Sequence, residues 1–247
     1  SEASTWRTEP FVLTEARGDA FYQQRAQMAQ SIDRMLGRIV ERLGDALDED
    51  TYLVVTSDNG FHLGQHSLNA GKGLPYDSDS RVPLVVAGPG VVPGERSQLV
   101  SNVDLAPTIE ELAGLGRDSE QAGVSFAESL VRPEAPGGRY VFMEHTYGPV
   151  LPGEPDAGLG SGSRLDIIPS YVAVRSEDAL LVRVDLDRGY VTEDVAWELY
   201  RYDAPSQPWE DVNVFDTDHD LPYAVDLRRR LERWIECEPR RCRRLTS

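Results

Sequence analysis

The hydrophobic positions between residues 19 and 46 fall at helical spacing. Met28, Ile32, Met35, Leu36, Ile39, Val40 and Leu43 recur three and four apart and share one stripe. The pattern predicts a long amphipathic helix over 19–46, with Gly44 as its stop signal. After a short acidic loop, Tyr52-Leu53-Val54-Val55-Thr56 is a continuous apolar run bounded by polar turns. A run of that kind suits a strand covered on both faces, as in a parallel sheet. Val82 to Ala87 repeats the pattern and ends in Gly88-Pro89-Gly90. Asp104 can cap a helix running through Ala113, with Gly114 just past its end, and Tyr140 to Met143 reads as a third strand.

Residues 146–169 are rich in Gly, Pro and Ser and read as a long surface loop. Beyond it the rhythm changes: Tyr171 to Arg175, Ala179 to Val184 and Ala196 to Tyr202 have the length of short antiparallel strands, and Leu221 to Ile235 that of a closing amphipathic helix. A boundary near residue 165 is therefore expected, with 1–165 an α/β unit and 166–247 a small α+β unit. Two or three buried strands with few helices cannot cover both faces of a sheet. The first unit thus reads as the latter part of a larger mixed or parallel sheet whose earlier strands lie elsewhere.

Composition narrows the function. Forty per cent hydrophobic and 27% charged residues are ordinary for a globular chain of 247 residues. No apolar run approaches the roughly 18 residues of a membrane span, and the N-terminus carries no basic-then-apolar signal pattern. The net charge of −17 repels nucleic acid and anionic membranes. Of the 25 basic residues 24 are arginine, and the one lysine is Lys72. A compact ammonium retained in a chain that otherwise uses the wide guanidinium fork points to a confined site, although chance survival of a surface lysine is the plain alternative. Cys237 and Cys242, close together near the end, could close a small disulfide loop, which would suit a secreted or periplasmic location; free thiols are the alternative.

The candidate chemistry lies after the first buried strand. Asp58-Asn59-Gly60 sits at its carboxyl end, where functional loops gather in open α/β sheets. A carboxylate beside an amide oxygen offers hard oxygen ligands suited to calcium or magnesium, though Asn-Gly is also a common tight-turn signal. Thirteen residues on, Gly71-Lys72-Gly73 places the ammonium between two glycines, where backbone can approach a ligand and the cation can meet a sulfate or phosphate oxygen. The loop lacks the spaced glycine and following Ser or Thr of a nucleotide-binding P-loop. His62 and His66 flank Gly64, which argues against a helical metal pair. They remain candidates to donate to an oxyanion or leaving group, against a role as hydrogen-bonded loop residues. His145 and His219 read as structural, and Arg228-Arg229-Arg230 with Arg233 as a solvated basic helix face.

Taken together, these segments resemble the type I sulfatases of the alkaline phosphatase superfamily. The resemblance runs through Thr56-Ser57-Asp58-Asn59-Gly60-Phe61-His62-Leu63-Gly64-Gln65-His66 and Gly71-Lys72-Gly73-Leu74-Pro75-Tyr76-Asp77. It continues through Arg81-Val82-Pro83-Leu84-Val85-Val86, Gly88-Pro89-Gly90 and Ser101-Asn102-Val103-Asp104-Leu105-Ala106-Pro107-Thr108. In order and spacing it covers about residues 20–115; Ala173-Val174-Arg175 and Glu198-Leu199-Tyr200 resemble the family's small C-terminal sheet more loosely. It implies an alkaline phosphatase-like fold, Asp58 and Asn59 as two ligands of a calcium (alternatively magnesium) ion, and Lys72 as a sulfate contact. Asp77 stands where the family more often has glutamate.

The family's remaining metal ligands, and the formylglycine made from Cys-x-Pro-Ser-Arg, belong to an N-terminal half, and neither precedes residue 58 here. Cys237-Glu238-Pro239-Arg240-Arg241 fits only a relaxed form of that motif, in the tail and with arginine at its fourth position. The resemblance therefore implies a metal-dependent sulfuric ester hydrolase acting on a sulfated small molecule or carbohydrate, with the nucleophile on the missing N-terminal half. A catalytically inactive binding fragment and a phosphonate or phosphodiester hydrolase of the same superfamily are the alternatives.

Overall fold

A computed structural model describes residues 6, 12–116, 120–148, 168–187, 191–203 and 209–246. Helix α1 (Glu15–Leu43) forms where the apolar period is helical and ends at Gly44, whose positive φ of 51° and N–H to the Val40 carbonyl close the last turn. Its period is as expected, but its stripe is uncovered. No residue of α1 is buried, and Met28, Ile32, Met35 and Val40 are 60, 54, 45 and 43% exposed. The contact that fastens α1 to the next segment is Arg25, whose guanidinium stacks 3.9 Å above the Phe61 ring.

Strands β1 (Leu53–Thr56) and β2 (Leu84–Ala87) pair antiparallel, with Leu53 opposite Ala87 and Thr56 opposite Leu84. This corrects the expectation of a parallel pair. A parallel pair needs a crossover, usually helical, and residues 57–83 supply only two short helical turns, so the chain returns alongside itself. Neither strand is fully buried among the described residues, and Val85 is 59% exposed. Helix α2 (Leu105–Leu112) follows, and Gly114 past its end has a φ of 70°.

The second sheet is a four-stranded antiparallel meander of β3 (Tyr140–His145), β4 (Tyr171–Ser176), β5 (Ala179–Asp185) and β6 (Val195–Arg201), in that order. The sequence places β3 in the first unit and a boundary near 165. In the structure β3 pairs with β4 from Tyr140–Ser176 to His145–Tyr171, so one sheet spans that position. Most of the expected loop 146–169 lies outside the described residues.

Both faces of the meander are buried, which explains why Leu180-Leu181-Val182 is apolar without alternation. One face, carrying Val172, Val174, Leu181 and Leu199, packs on Ala224, Leu227 and Leu231 of helix α3 (Pro222–Ile235). The other, carrying Tyr171, Ala173, Leu180, Val182 and Tyr200, packs on Leu68, Leu74 and Tyr76. The C-terminal sheet is thus the platform on which the loop bearing Lys72 rests. Past α3, Cys237 and Cys242 form a disulfide with Cα atoms 5.4 Å apart.

Candidate active site

Asp58 and Asn59 leave the end of β1 in a turn that their own polar groups hold. The Asp58 carboxylate accepts the Asn59 backbone N–H at 2.9 Å and the Ser57 hydroxyl at 3.3 Å. The Asn59 amide nitrogen donates to the Gly60 carbonyl at 2.7 Å, which leaves Oδ1 as the outward atom. From a second segment, the Asn102 amide donates to the Ser57 and Asp58 carbonyls at 3.2 and 3.3 Å. Gly60 is followed so closely by the Ser78 carbonyl oxygen that any Cβ there would collide with it.

Lys72 comes to this turn from the next loop, and its ammonium donates to Asn59 Oδ1 at 3.4 Å. The loop is held on three sides. Gly71 exchanges both backbone hydrogen bonds with His62, at 2.9 and 3.1 Å. The Tyr171 hydroxyl, from β4, donates to the Gly73 carbonyl at 3.1 Å, and Gly73 itself has a φ of 101°. Beyond it, Tyr76 is buried between the His66 ring, 3.6 Å away and stacked, and the edge-on ring of Tyr200. Its hydroxyl reaches the buried Glu198 carboxylate at 2.7 Å.

The two candidate histidines are both buried. His62 Nδ1 lies 2.9 and 3.0 Å from the two oxygens of Asp79. A carboxylate only accepts, so Nδ1 carries the proton. His66 stacks on Tyr76, meets Tyr200 edge-on and sits with Nε2 3.5 Å from Glu210. The His62 ring also stacks on Phe61, with centroids 6.3 Å apart, while Asp58, Asn59 and Lys72 come together in one place. Asp77, at the position where glutamate is more usual, accepts Arg175 at 3.1 and 3.4 Å and the Tyr202 hydroxyl at 3.3 Å. Arg175 also stacks 3.5 Å above the Tyr202 ring.

Asp58 and Asn59 open into a cavity of about 980 Å³ whose far wall is the C-terminal sheet, through Tyr171, Arg175 and Tyr202. Burial pushes both tyrosine hydroxyls far above their ordinary range, with Asp79 adding to the effect at Tyr171 and Glu210 and Asp77 at Tyr202. These phenols stay neutral donors. As a metal site the turn is partial. Among the described residues no group of three or more His, Cys, Asp and Glu could hold an ion. Calcium takes about six to eight oxygens; two hard oxygens side by side fit part of that shell.

Sequence reasoning passed over Asp79, Asn102 and Tyr171. Asn102 lies inside a motif that the resemblance covers, but nothing in its spacing announces a contact 45 residues away. Asp79 and Tyr171 matter only because of which segments the fold lays beside them.

Comparison with known proteins gives this arrangement its class. Residues 3–115 match the family model described as Sulfatase. N-acetylglucosamine-6-sulfatase of Capra hircus is 42% identical over 117 residues, 45% of this chain and 21% of that protein. A Drosophila melanogaster protein named extracellular sulfatase SULF-1 homolog is 38% identical over 127 residues, 50% of this chain and 11% of its own length. Over residues 3–115, a little under half of its length, this chain is similar to the sulfatase family. It spans about a fifth of the length of the N-acetylglucosamine-6-sulfatases that it matches.

Solved structures extend the likeness through the C-terminal sheet. One, determined with its substrate D-glucosamine-2-N,6-O-disulfate, has a TM-score of 0.66 at 24% identity, over 83% of this chain and 38% of that one. The phosphonate monoester hydrolase of Silicibacter pomeroyi has a TM-score of 0.61 at 26% identity, over 87% of this chain and 39% of that one. The fold is the α/β fold of these enzymes, with antiparallel sheets and covering helices.

Proposed function

We propose that this chain is the C-terminal part of a sulfuric ester hydrolase and that Asp58, Asn59 and Lys72 bind the sulfate end of its substrate. The observation that carries the reading is the 3.4 Å contact between Lys72 Nζ and Asn59 Oδ1. The chain's one lysine and its strand-end oxygen pair, thirteen residues apart, converge beside a cavity large enough for a sugar. Lys72 neutralises charge on the sulfate oxygens, most strongly where charge builds in the transition state. Asp58 and Asn59 are two ligands of a calcium ion, with magnesium the alternative; when bound, the cation supplies Lewis-acid polarisation of the sulfate. The Ser57 hydroxyl holds the Asp58 carboxylate, and the Asn102 amide holds the backbone carbonyls of the same turn.

The nucleophile, by resemblance a formylglycine, and the remaining ligands come from an N-terminal part of the domain. The uncovered stripe of α1, with Met28 and Ile32 more than half exposed, supports such a partner. Buried in a doubly covered domain, these side chains would each add roughly 1.5–3 kcal/mol of stability. The relatives named N-acetylglucosamine-6-sulfatase favour a sulfated carbohydrate as substrate, and the disulfide together with a relative named extracellular favours a secreted or periplasmic location.

The test is sulfate release from nitrophenyl sulfate and from N-acetylglucosamine 6-sulfate by the polypeptide of the intact reading frame, beside the 247-residue chain alone. Metal-dependent turnover is expected from the former and none from the latter. Turnover by the isolated chain refutes the division of labour, and none by either refutes the enzyme. The phosphonate monoester hydrolase neighbour favours a second reading, phosphonate ester hydrolysis. Faster cleavage of a phenyl phosphonate ester than of the sulfates would select it.

A further inference from the structure

We infer that Asp79, clasped by His62, is the positioning residue that sets Lys72 against Asn59; the inference rests on the sulfate-site reading and adds a residue to it. Asp79 is bonded to the segments beside both functional groups. Its backbone carbonyl accepts the Gly60 N–H at 2.6 Å, directly after Asn59, and the adjoining Ser78 carbonyl accepts the Phe61 N–H at 2.8 Å. Its carboxylate accepts the Leu74 N–H at 3.1 Å, two residues past Lys72. The same carboxylate takes His62 Nδ1 on both oxygens and the Ser78 hydroxyl at 3.1 Å. His62 in turn holds Gly71, directly before Lys72, by the reciprocal backbone pair.

The strand-end turn, the lysine loop and the 77–80 turn are therefore closed into one ring of hydrogen bonds through a single residue, by its carbonyl on one side and its carboxylate on the other. Asp79 and His62 are 3% and 5% exposed, so these bonds form away from competing water. Losing the carboxylate leaves the Leu74 N–H and the His62 ring without their acceptor in a buried place, a cost the structure relieves by letting the two loops separate. His62 thereby acts as a strut between Asp79 and the lysine loop. Its Nδ1 proton is committed to Asp79, and the service it performs is to fix Gly71.

The single lysine makes the test direct. Protein grown on lysine labelled with carbon-13 at Cε gives one side-chain NMR signal, that of Lys72. In Asp79→Ala that signal should move, and its response to inorganic sulfate should need about tenfold more sulfate. Asp79→Asn, which keeps one acceptor and the shape, should restore most of both. Leu231→Ala, which opens a cavity in the core against α3, should lower the unfolding midpoint yet leave the Lys72 signal in place. If Asp79→Ala does not fold, Asp79→Asn and His62→Gln are read by the same two measures.

A Lys72 signal unmoved in folded Asp79 and His62 variants overturns the positioning role. A wild-type signal that ignores sulfate overturns the anion-site reading instead, while the signal position still tests Asp79.

Discussion

Replacing Tyr76 by Phe tests the idea that the lysine loop is seated by the C-terminal sheet. The substitution keeps the ring, and with it the 3.6 Å stack on His66 and the edge-on packing against Tyr200. What it removes is the hydroxyl that donates to Glu198 at 2.7 Å. Tyr76 is 1% exposed and Glu198 is fully buried, so water cannot replace the lost donor without entering the core. Hydrogen bonds to a charged group contribute about 1.5–3 kcal/mol. A chain of this size loses about 2–4 °C in midpoint per kcal/mol, so the midpoint should fall by roughly 3–12 °C.

Tyr200 also donates to Glu198, at 3.1 Å, and should keep the carboxylate in place, which favours the lower half of that range. Urea unfolding followed by tryptophan fluorescence, with Glu198→Gln and the double variant completing a cycle, isolates the pairwise energy. A coupling under about 0.5 kcal/mol, the scatter of ordinary surface substitutions, would refute the claim that this bond anchors the loop.

Three further outcomes follow from the same geometry. In the polypeptide of the intact reading frame, Lys72→Ala should lose about 10²–10³ in sulfate-ester turnover with unchanged far-UV circular dichroism; near-normal rates would remove the ammonium from the site. Reducing the Cys237–Cys242 disulfide, whose separation is five residues, releases a short loop and should cost about 2 kcal/mol by loop entropy, read as a lower urea midpoint in dithiothreitol that Cys237→Ser reproduces. Burial holds the His145 imidazole below its ordinary 6.5, against a smaller opposing hydrogen bond that the ring donates to the Ile168 backbone carbonyl. Between that depressed value and 6.5 the unfolded chain binds more protons, so stability should fall as pH drops below about 6.5 and level off once the folded ring is protonated. His145→Gln should flatten that stretch of a urea midpoint series, and an unchanged slope would assign it to other groups.

The structure agrees with the pattern reading wherever the signal is local. Helix α1, α2 and α3 and all six described strands lie within a few residues of their expected positions, because a 3.6- or 2-residue period is written in neighbouring side chains. The resemblance was likewise legible, since Asp58, Asn59 and Lys72 lie within fifteen consecutive residues. Strand partnership was not. The apolar run 52–56 looks the same whether its neighbour runs parallel or antiparallel, and β3 looks the same in either sheet. The histidines show the same limit, for His62 and His66 share one motif but face different partners, Asp79 in one case and Glu210 in the other.

By itself, then, the sequence determined the elements, the sulfatase likeness of residues 3–115 and which residues were candidates to meet a sulfate and a hard cation. The tertiary structure alone decided that Lys72 reaches Asn59, that Asp79 joins their loops, and that a sheet built from residues 140–201 forms the floor beneath them. The reason is distance along the chain. Tyr76 finds Glu198 across 122 residues and Asp77 finds Arg175 across 98, and no periodicity records a partner that far away.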